Sequence, residues 1–78
     1  MMTLHEAIEQ VLKEHSRPMT ARELADEINR RKLYIKKNES LIEAAQIHAR
    51  VNKRPQLFDK KDGLIFLKDE QNYSLDIF

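Results

Sequence analysis

The stretch QIHARVNKRPQLFDKKDGLIFL, residues 46–67, changes its pattern half-way along. Its first half places Ile47 and Val51 one helical turn apart, which is typical of an amphipathic helix. Its second half contains two short β-prone runs, 57–58 and 64–67, separated by residues 59–63. Gly63 is the only glycine of the chain and permits the positive φ that hairpin turns need. The stretch therefore predicts a helix followed by a two-stranded β-hairpin.

Upstream, three tetrapeptides have the pattern of a capping box at the start of a helix. They are Thr3-Leu4-His5-Glu6, Thr20-Ala21-Arg22-Glu23 and Ser40-Leu41-Ile42-Glu43. In each, the hydroxyl would accept a hydrogen bond from the N–H three residues on, and the glutamate would reach back to the cap N–H. Apolar residues at helical spacing follow each box. The pattern predicts helices from Leu4 to about His15, from Ala21 to about Lys32 and from Leu41 to about Asn52.

The connection between the second and third helices, KLYIKKNE, is longer than the turn of a simple helix-turn-helix. We expect residues 33–35 to form a short extended piece on the core, and Pro18-Met19 to add a short third strand. The predicted fold class is α+β, mainly α: a winged helix-turn-helix of three helices followed by a two-stranded β-hairpin wing. It would span residues 1–68, leaving residues 69–78 as a C-terminal tail or edge strand.

Composition excludes several kinds of protein. A chain of 78 residues makes one small domain, too small for a deep active site. It has no cysteine and no apolar run near the ~18 residues of a membrane helix. It also lacks a signal-peptide pattern, so we expect a cytoplasmic protein without membrane contact. The three histidines have no metal-ligand spacing, and His48 falls on the apolar arc of the third helix. Without a nucleophile motif or a phosphate loop, we expect no enzyme and no cofactor.

Charge is distributed unevenly along the chain. Residues 1–29 carry three Lys or Arg against six Asp or Glu, residues 30–61 carry ten against three, and residues 62–78 carry one against four. A net charge of +1 therefore conceals a basic middle between acidic ends. A basic face attracts a polyanion through its field, although a solvated charged surface would have the same composition.

The third predicted helix separates into two arcs at 100° per residue. One arc is apolar: Leu41, Ala44, Ala45, Ile47, His48 and Val51. The other is polar: Glu39, Glu43, Gln46, Arg50 and Lys53. In a helix-turn-helix such a polar face enters the major groove, where Gln46 could pair with adenine and Arg50 with guanine. Two glutamates near the start of this helix would oppose phosphate.

The remaining predicted DNA contacts are mostly lysine and arginine side chains around this helix. They are Ser40 at its predicted start, Lys36 and Lys37 before it, Lys53 and Arg54 at its end, and Lys60 and Lys61 at the hairpin tip. The cations suit phosphate, because such ion pairs add affinity and salt dependence but no sequence preference.

Four segments resemble a known family of domains. They are TLHEAIEQVL (3–12), RPMTARELADEINRRKLY (17–34), QIHARVNKRPQLF (46–58) and DGLIFL (62–67). Together they resemble the HARE-type helix-turn-helix family of chromatin, homeobox and restriction-endonuclease proteins, and a related module is found in the bacterial RNA polymerase delta subunit. The resemblance implies a winged-helix fold and double-stranded DNA as the partner. The delta-subunit relation implies that such a module can instead dock on protein.

Two main hypotheses therefore stand. The first is a bacterial DNA-binding module that regulates transcription or targets a partner, such as RNA polymerase or a DNA-modifying or restriction enzyme, to DNA. The second is a protein-docking module of the delta-subunit kind. A third hypothesis is dimerisation through the strand at 65–67 and the tail at 74–78, so we expect a monomer or weak dimer.

Overall fold

The computed structural model describes residues 2–68. Its elements in chain order are α1 (Leu4–His15), β1 (Met19–Thr20), α2 (Ala21–Arg31), α3 (Ala44–Asn52), β2 (Phe58–Lys61) and β3 (Leu64–Leu67). The strands form one antiparallel sheet in the order β1-β3-β2. The predicted mainly helical α+β winged helix is confirmed, with β1 as the third strand. The predicted tail, residues 69–78, lies outside the described residues.

Capping boxes begin α1 and α2, as predicted. The Thr3 hydroxyl accepts from the Glu6 N–H at 3.3 Å, and the Glu6 carboxylate accepts from the Thr3 N–H at 2.8 Å. The corresponding distances for Thr20 and Glu23 are 3.1 and 2.9 Å. In both boxes the backbone N–H of the threonine lowers the pKa of the glutamate, because it stabilises the charged carboxylate.

The start of α3 differs from the prediction. This helix begins at Ala44 rather than Leu41, and its N-cap is Glu43, whose N–H donates to the Gln46 side-chain oxygen at 2.9 Å. The predicted capping box at residues 40–43 is wrong, because the Ser40 hydroxyl donates instead to the Asn38 side-chain oxygen at 2.7 Å.

A contact from α2 explains the later start of α3. The Asn29 side-chain amide donates to the Ile42 carbonyl, and its oxygen accepts from the Ile42 N–H, both at 2.9 Å. These bonds occupy both backbone polar groups of Ile42 outside a helix and hold its side chain in the core, where it is 3% exposed. Leu41 then points outward, 70% exposed, so its predicted place on the apolar arc is wrong.

The segment between α2 and α3 contains no strand. Leu33 and Tyr34 pack against the core, as predicted for this piece, but Ile35 is exposed. The Leu33 N–H donates to the Ile28 carbonyl at 3.1 Å and completes the end of α2. The segment is therefore anchored at its beginning by α2 and near its end by Asn29.

The apolar faces of the helices pack on one side of the sheet. The core contains Leu4, Ala7, Ile8, Val11, Leu12, Met19, Ala21, Leu24, Ala25, Ile28, Ile42, Ile47, Val51, Phe58, Ile65 and Leu67. The hairpin is tighter than predicted: residues 59–61 belong to β2, and only Asp62 and Gly63 form the turn. Their φ angles of 54° and 79° are the positive values that a type I′ turn requires.

Candidate nucleic-acid interface

Ion pairs are confined to one part of the described molecule. Within residues 2–68 there are three Arg–Glu pairs, and all lie on α1, α2 and the turn between them: Arg17–Glu23, Arg30–Glu27 and Arg31–Glu14. His15 Nε2 also lies 3.3 Å from the Glu27 carboxylate. The Arg31 hydrogen bond lowers the pKa of Glu14, and the Arg30 hydrogen bond lowers the pKa of Glu27. Much of the acidic charge of the first two helices is therefore neutralised locally.

The predicted DNA-contacting cations have no such partners. No carboxylate of residues 2–68 lies within 4.0 Å of the charged groups of Lys36, Lys37, Arg50, Lys53, Arg54, Lys60 or Lys61. Charge without a local counter-ion contributes its full field to the surroundings. Seven cations without a carboxylate partner among the described residues therefore lie on α3, the segments that flank it and the hairpin.

Five of the predicted site residues line one cleft of about 350 Å³: Lys36, Lys37, Gln46, Arg50 and Lys53. One wall is the α2–α3 segment and the other is α3. Leu4, Tyr34, Ile42 and Ala49 complete the lining. The structure thus brings together cations that are up to 17 positions apart in the sequence. We call this cavity the basic cleft.

Two residues proposed as base readers differ in their availability. Arg50 is half-buried and has no carboxylate partner among the described residues. The Gln46 side-chain oxygen already accepts from the Glu43 N–H. A bidentate contact from Gln46 to adenine would need that oxygen or compete for it, so Arg50 is the readier of the two.

The hairpin is joined to α3 through a lysine and a histidine. Lys60 Nζ lies 3.3 Å from His48 Nδ1, and both residues are on elements that border the positive region. An ammonium group only donates, so a hydrogen bond between these two atoms has Nδ1 as its acceptor. His48 is half-buried, while Lys60 and Lys61 are exposed. No cluster of three potential metal ligands occurs among the described residues.

A family model, HARE-HTH, matches residues 2–75, and its description names a helix-turn-helix domain of ASXL and restriction endonuclease proteins among others. The chain belongs to the HARE-HTH family. The resemblance in its sequence is thereby confirmed over nearly the whole length. Comparison with curated proteins and with solved structures gave no match. None of the helices that the structure describes in this HARE-HTH domain is long and apolar enough to cross a membrane.

Four predicted site residues lie outside the basic cleft of the HARE-HTH domain: Lys60 and Lys61 on the hairpin, and Arg54 and Ser40. Arg54 is half-buried in the turn after α3, where its carbonyl accepts from the Leu57 and Phe58 N–H groups at 3.0 and 3.2 Å. Ser40 lines a second cleft of about 200 Å³ with Ile35 and Leu41. Tyr34 lines both clefts.

Sequence reasoning missed the outward face of α3. Ala45, Ala49 and Asn52 are exposed, although Ala45 was predicted on the apolar arc. The apolar arc is narrower than predicted: Ile47 and Val51 are buried, and Ala44 packs against the core. The small alanine side chains leave the backbone of α3 open to close approach. Alanine occurs both in cores and on surfaces, so the sequence alone did not show that this face is exposed. The burial of each residue in the structure does show it.

Acidic groups border the site as well. Glu39 and Glu43 are exposed near the start of α3. Glu39 closes a tight turn, with its N–H donating to the Lys36 carbonyl at 2.8 Å and a φ of 61°. A third cleft of about 340 Å³ on α1, which we call the acidic cleft, is lined by Glu6, Glu9 and Glu14 together with one cation, Lys13. The HARE-HTH domain therefore has an acidic surface on α1 and a basic one around α3.

Proposed function

We propose that this HARE-HTH domain binds double-stranded DNA, with α3 in the major groove and the β2–β3 hairpin on the backbone. One observation carries the proposal. Among residues 2–68, every ion pair lies on α1, α2 and their connecting turn, whereas the cations of residues 36–61 have no carboxylate partner. A cation without a carboxylate partner can bind a DNA phosphate without first breaking an ion pair. Each such contact releases counter-ions that were condensed on the DNA.

The shape of α3 supports the same arrangement. Ala45 and Ala49 form its outward surface and keep it narrow, and alanine methyl groups can contact the thymine methyl. Arg50 sits beside this surface with a guanidinium that suits guanine O6 and N7. Gln46 would contribute an adenine contact only by releasing its cap bond to Glu43.

The phosphate contacts would come from both sides of α3. Lys36 and Lys37 belong to the preceding segment, and Lys60 and Lys61 belong to the hairpin. Together with Lys53 they would fix the position of the helix on the duplex without reading sequence. Arg54 and Ser40 would contact the backbone at the margins of the site.

We place the domain in a non-catalytic role in bacterial transcription or DNA targeting. A cytoplasmic, nucleoid-associated module that acts as a monomer or weak dimer fits this role. Its protein partner would be RNA polymerase or a DNA-modifying or restriction enzyme. Neither a cofactor nor a metal is needed, because groove and phosphate contacts require only side chains.

Single substitutions separate base reading from phosphate contact. Arg50→Ala is expected to weaken binding to the preferred site by about 1–3 kcal/mol and to relax the base preference at one position. Lys60→Ala is expected to weaken all duplexes alike and to reduce the slope of log K against log salt by about 1. Fluorescence anisotropy over a series of salt concentrations measures both effects.

Lys13→Ala is the matched control, since Lys13 is an exposed cation that lines the acidic cleft of α1. It should leave duplex affinity and salt slope unchanged. Equal affinities for the parent and all three variants would contradict the proposed orientation on DNA.

A protein-docking function is the alternative. The acidic cleft on α1 and the exposed Glu39 and Glu43 favour it, because each would repel phosphate. It predicts DNA binding no tighter than the nonspecific range of roughly 10⁻⁴ to 10⁻⁶ M. It also predicts a stoichiometric protein partner, and a pull-down that returns none would count against it.

A further inference from the structure

The basic cleft combines two kinds of lining. Lys36, Lys37 and Lys53 supply positive charge, whereas Tyr34, Ile42 and Ala49 supply an aromatic and apolar wall. Its volume of about 350 Å³ lies at the small end of the ~300–1,000 Å³ typical of ligand pockets. A cavity with this lining fits a small ligand that has both a flat apolar part and an anionic part.

Fully paired double-stranded DNA, the ligand of the proposed function, would contact only the charged part of this cavity. A phosphate of a duplex backbone satisfies the lysines but leaves the wall beside Tyr34 in water. The edges of paired bases stay within the groove and would meet the exposed surface of α3 at Ala45 and Ala49, of which only Ala49 also lines the cleft. The recessed wall between α3 and the α2–α3 segment is therefore left without a partner when the duplex is fully paired.

We propose that the basic cleft binds one nucleotide outside the base-paired stack, with the base against the Tyr34 ring and the phosphate on Lys36 and Lys37. This inference rests on the proposed DNA binding. The preferred ligand would be duplex DNA that contains an unpaired nucleotide. A free mononucleotide has the same chemistry, and the experiment below distinguishes the two sources.

The wall that carries Tyr34 is held in place before any ligand arrives. Tyr34 is half-buried and packs against the core. The segment is fixed at one end by the Leu33 bond to Ile28 and near the other by the two Asn29 bonds to Ile42. Between them, the bond from the Glu39 N–H to the Lys36 carbonyl closes a turn behind the two lysines. A ring held in this way offers a stacking surface at little cost in entropy, and stacking tolerates any base.

The experiment compares a fully paired duplex with the same duplex that carries one unpaired nucleotide. Wild-type protein should bind the second about tenfold more tightly, within the range that base–aromatic stacking provides. Tyr34→Phe keeps the ring and should keep this preference. Tyr34→Leu keeps an apolar group against the core but removes the ring, so the preference should disappear while affinity for the paired duplex stays the same. Thermal unfolding confirms that both variants are folded.

A measurement on the wild type alone guards against misfolded variants. The fluorescent base 2-aminopurine at the unpaired position should be quenched on binding, because it stacks on Tyr34. The same base at a paired position should be little affected. Equal affinity for the two duplexes, a preference that survives Tyr34→Leu, or no selective quenching would overturn the proposal.

Titration with dAMP separates this inference from the proposed function. Amide shifts at residues 34–37 and 49–53, with no binding of either duplex, would assign the cleft to a free nucleotide and reject DNA binding. Binding of both duplexes with equal affinity would keep DNA binding and reject the nucleotide site. Absence of binding to dAMP and to both duplexes would reject both.

Discussion

Thr20 belongs to a strand and to a helix cap at the same time. It pairs with Leu64 as the last residue of β1, and its hydroxyl accepts from the Glu23 N–H at the start of α2. Its own N–H donates to the Glu23 carboxylate at 2.9 Å. One residue therefore joins the sheet to the second helix, so its cap contributes to the stability of both.

Thr20→Ala is expected to lower the free energy of unfolding by about 1 kcal/mol, because it removes the side-chain cap of α2. Ser40→Ala is the matched test, since Ser40 has the same position in a similar tetrapeptide but caps no helix. It should change stability by no more than about 0.5 kcal/mol. Urea unfolding followed by circular dichroism measures both. A loss of equal size for Ser40→Ala would mean that α3 begins at residue 41 after all.

The three tetrapeptides also show how far local sequence predicts structure. At Thr3 and Thr20 the hydroxyl bonds the N–H of the glutamate three residues on, and the glutamate side chain bonds back to the threonine N–H. All of these groups lie within one helical turn, so no distant residue decides whether the helix begins there. At Ser40 the same local pattern does not begin a helix. The side chain of Asn29, 13 positions before Ile42, hydrogen-bonds the Ile42 N–H and carbonyl and holds them outside a helix. An asparagine on an otherwise ordinary helix gives no sign in the sequence that it will do so.

At the scale of elements, the α2–α3 connection depends on this asparagine. Asn29→Ala would leave the N–H and carbonyl of Ile42 without partners in a partly buried position. We expect a loss of about 2 kcal/mol in the free energy of unfolding, since unsatisfied buried polar groups are costly. Chemical denaturation measures the loss. Asp26→Ala, an exposed site on the same helix, is the control and should change stability by about 0.5 kcal/mol or less. An unchanged denaturation midpoint for Asn29→Ala would contradict this role.

The position of the hairpin turn could be predicted because it depends on two adjacent residues. The length of the strand before the turn could not be predicted. Asp62-Gly63 supplies two residues that tolerate positive φ, and that is enough to place the turn. Residues 59–61 looked like loop because they are polar and charged. They form a strand nevertheless, since β2 is an edge strand whose residues after Phe58 face solvent and whose backbone pairs only with β3.

At the scale of the whole molecule, the sequence showed that basic and acidic residues are separated along the chain. It did not show which of these charged side chains form ion pairs. Counting residues located a basic middle and acidic ends. Only the packing of α1 against α2 reveals that Glu14 is paired with Arg31, whereas Glu27 and Arg30 lie three positions apart on one helix. Likewise, only the fold brings Lys36 and Lys53 to one cleft. Among the described residues, all of the cations proposed for DNA remain without a carboxylate partner.

The most direct test of DNA binding by this surface is a titration of the labelled protein with a random-sequence duplex, followed by amide chemical shifts at low and at physiological salt. The proposed interface predicts shifts at residues 36–37, 46–54 and 60–63 that become smaller as salt rises, with the outward face of α1 unchanged. An absence of shifts at low salt, or shifts confined to α1, would contradict it and would turn the search toward a protein partner.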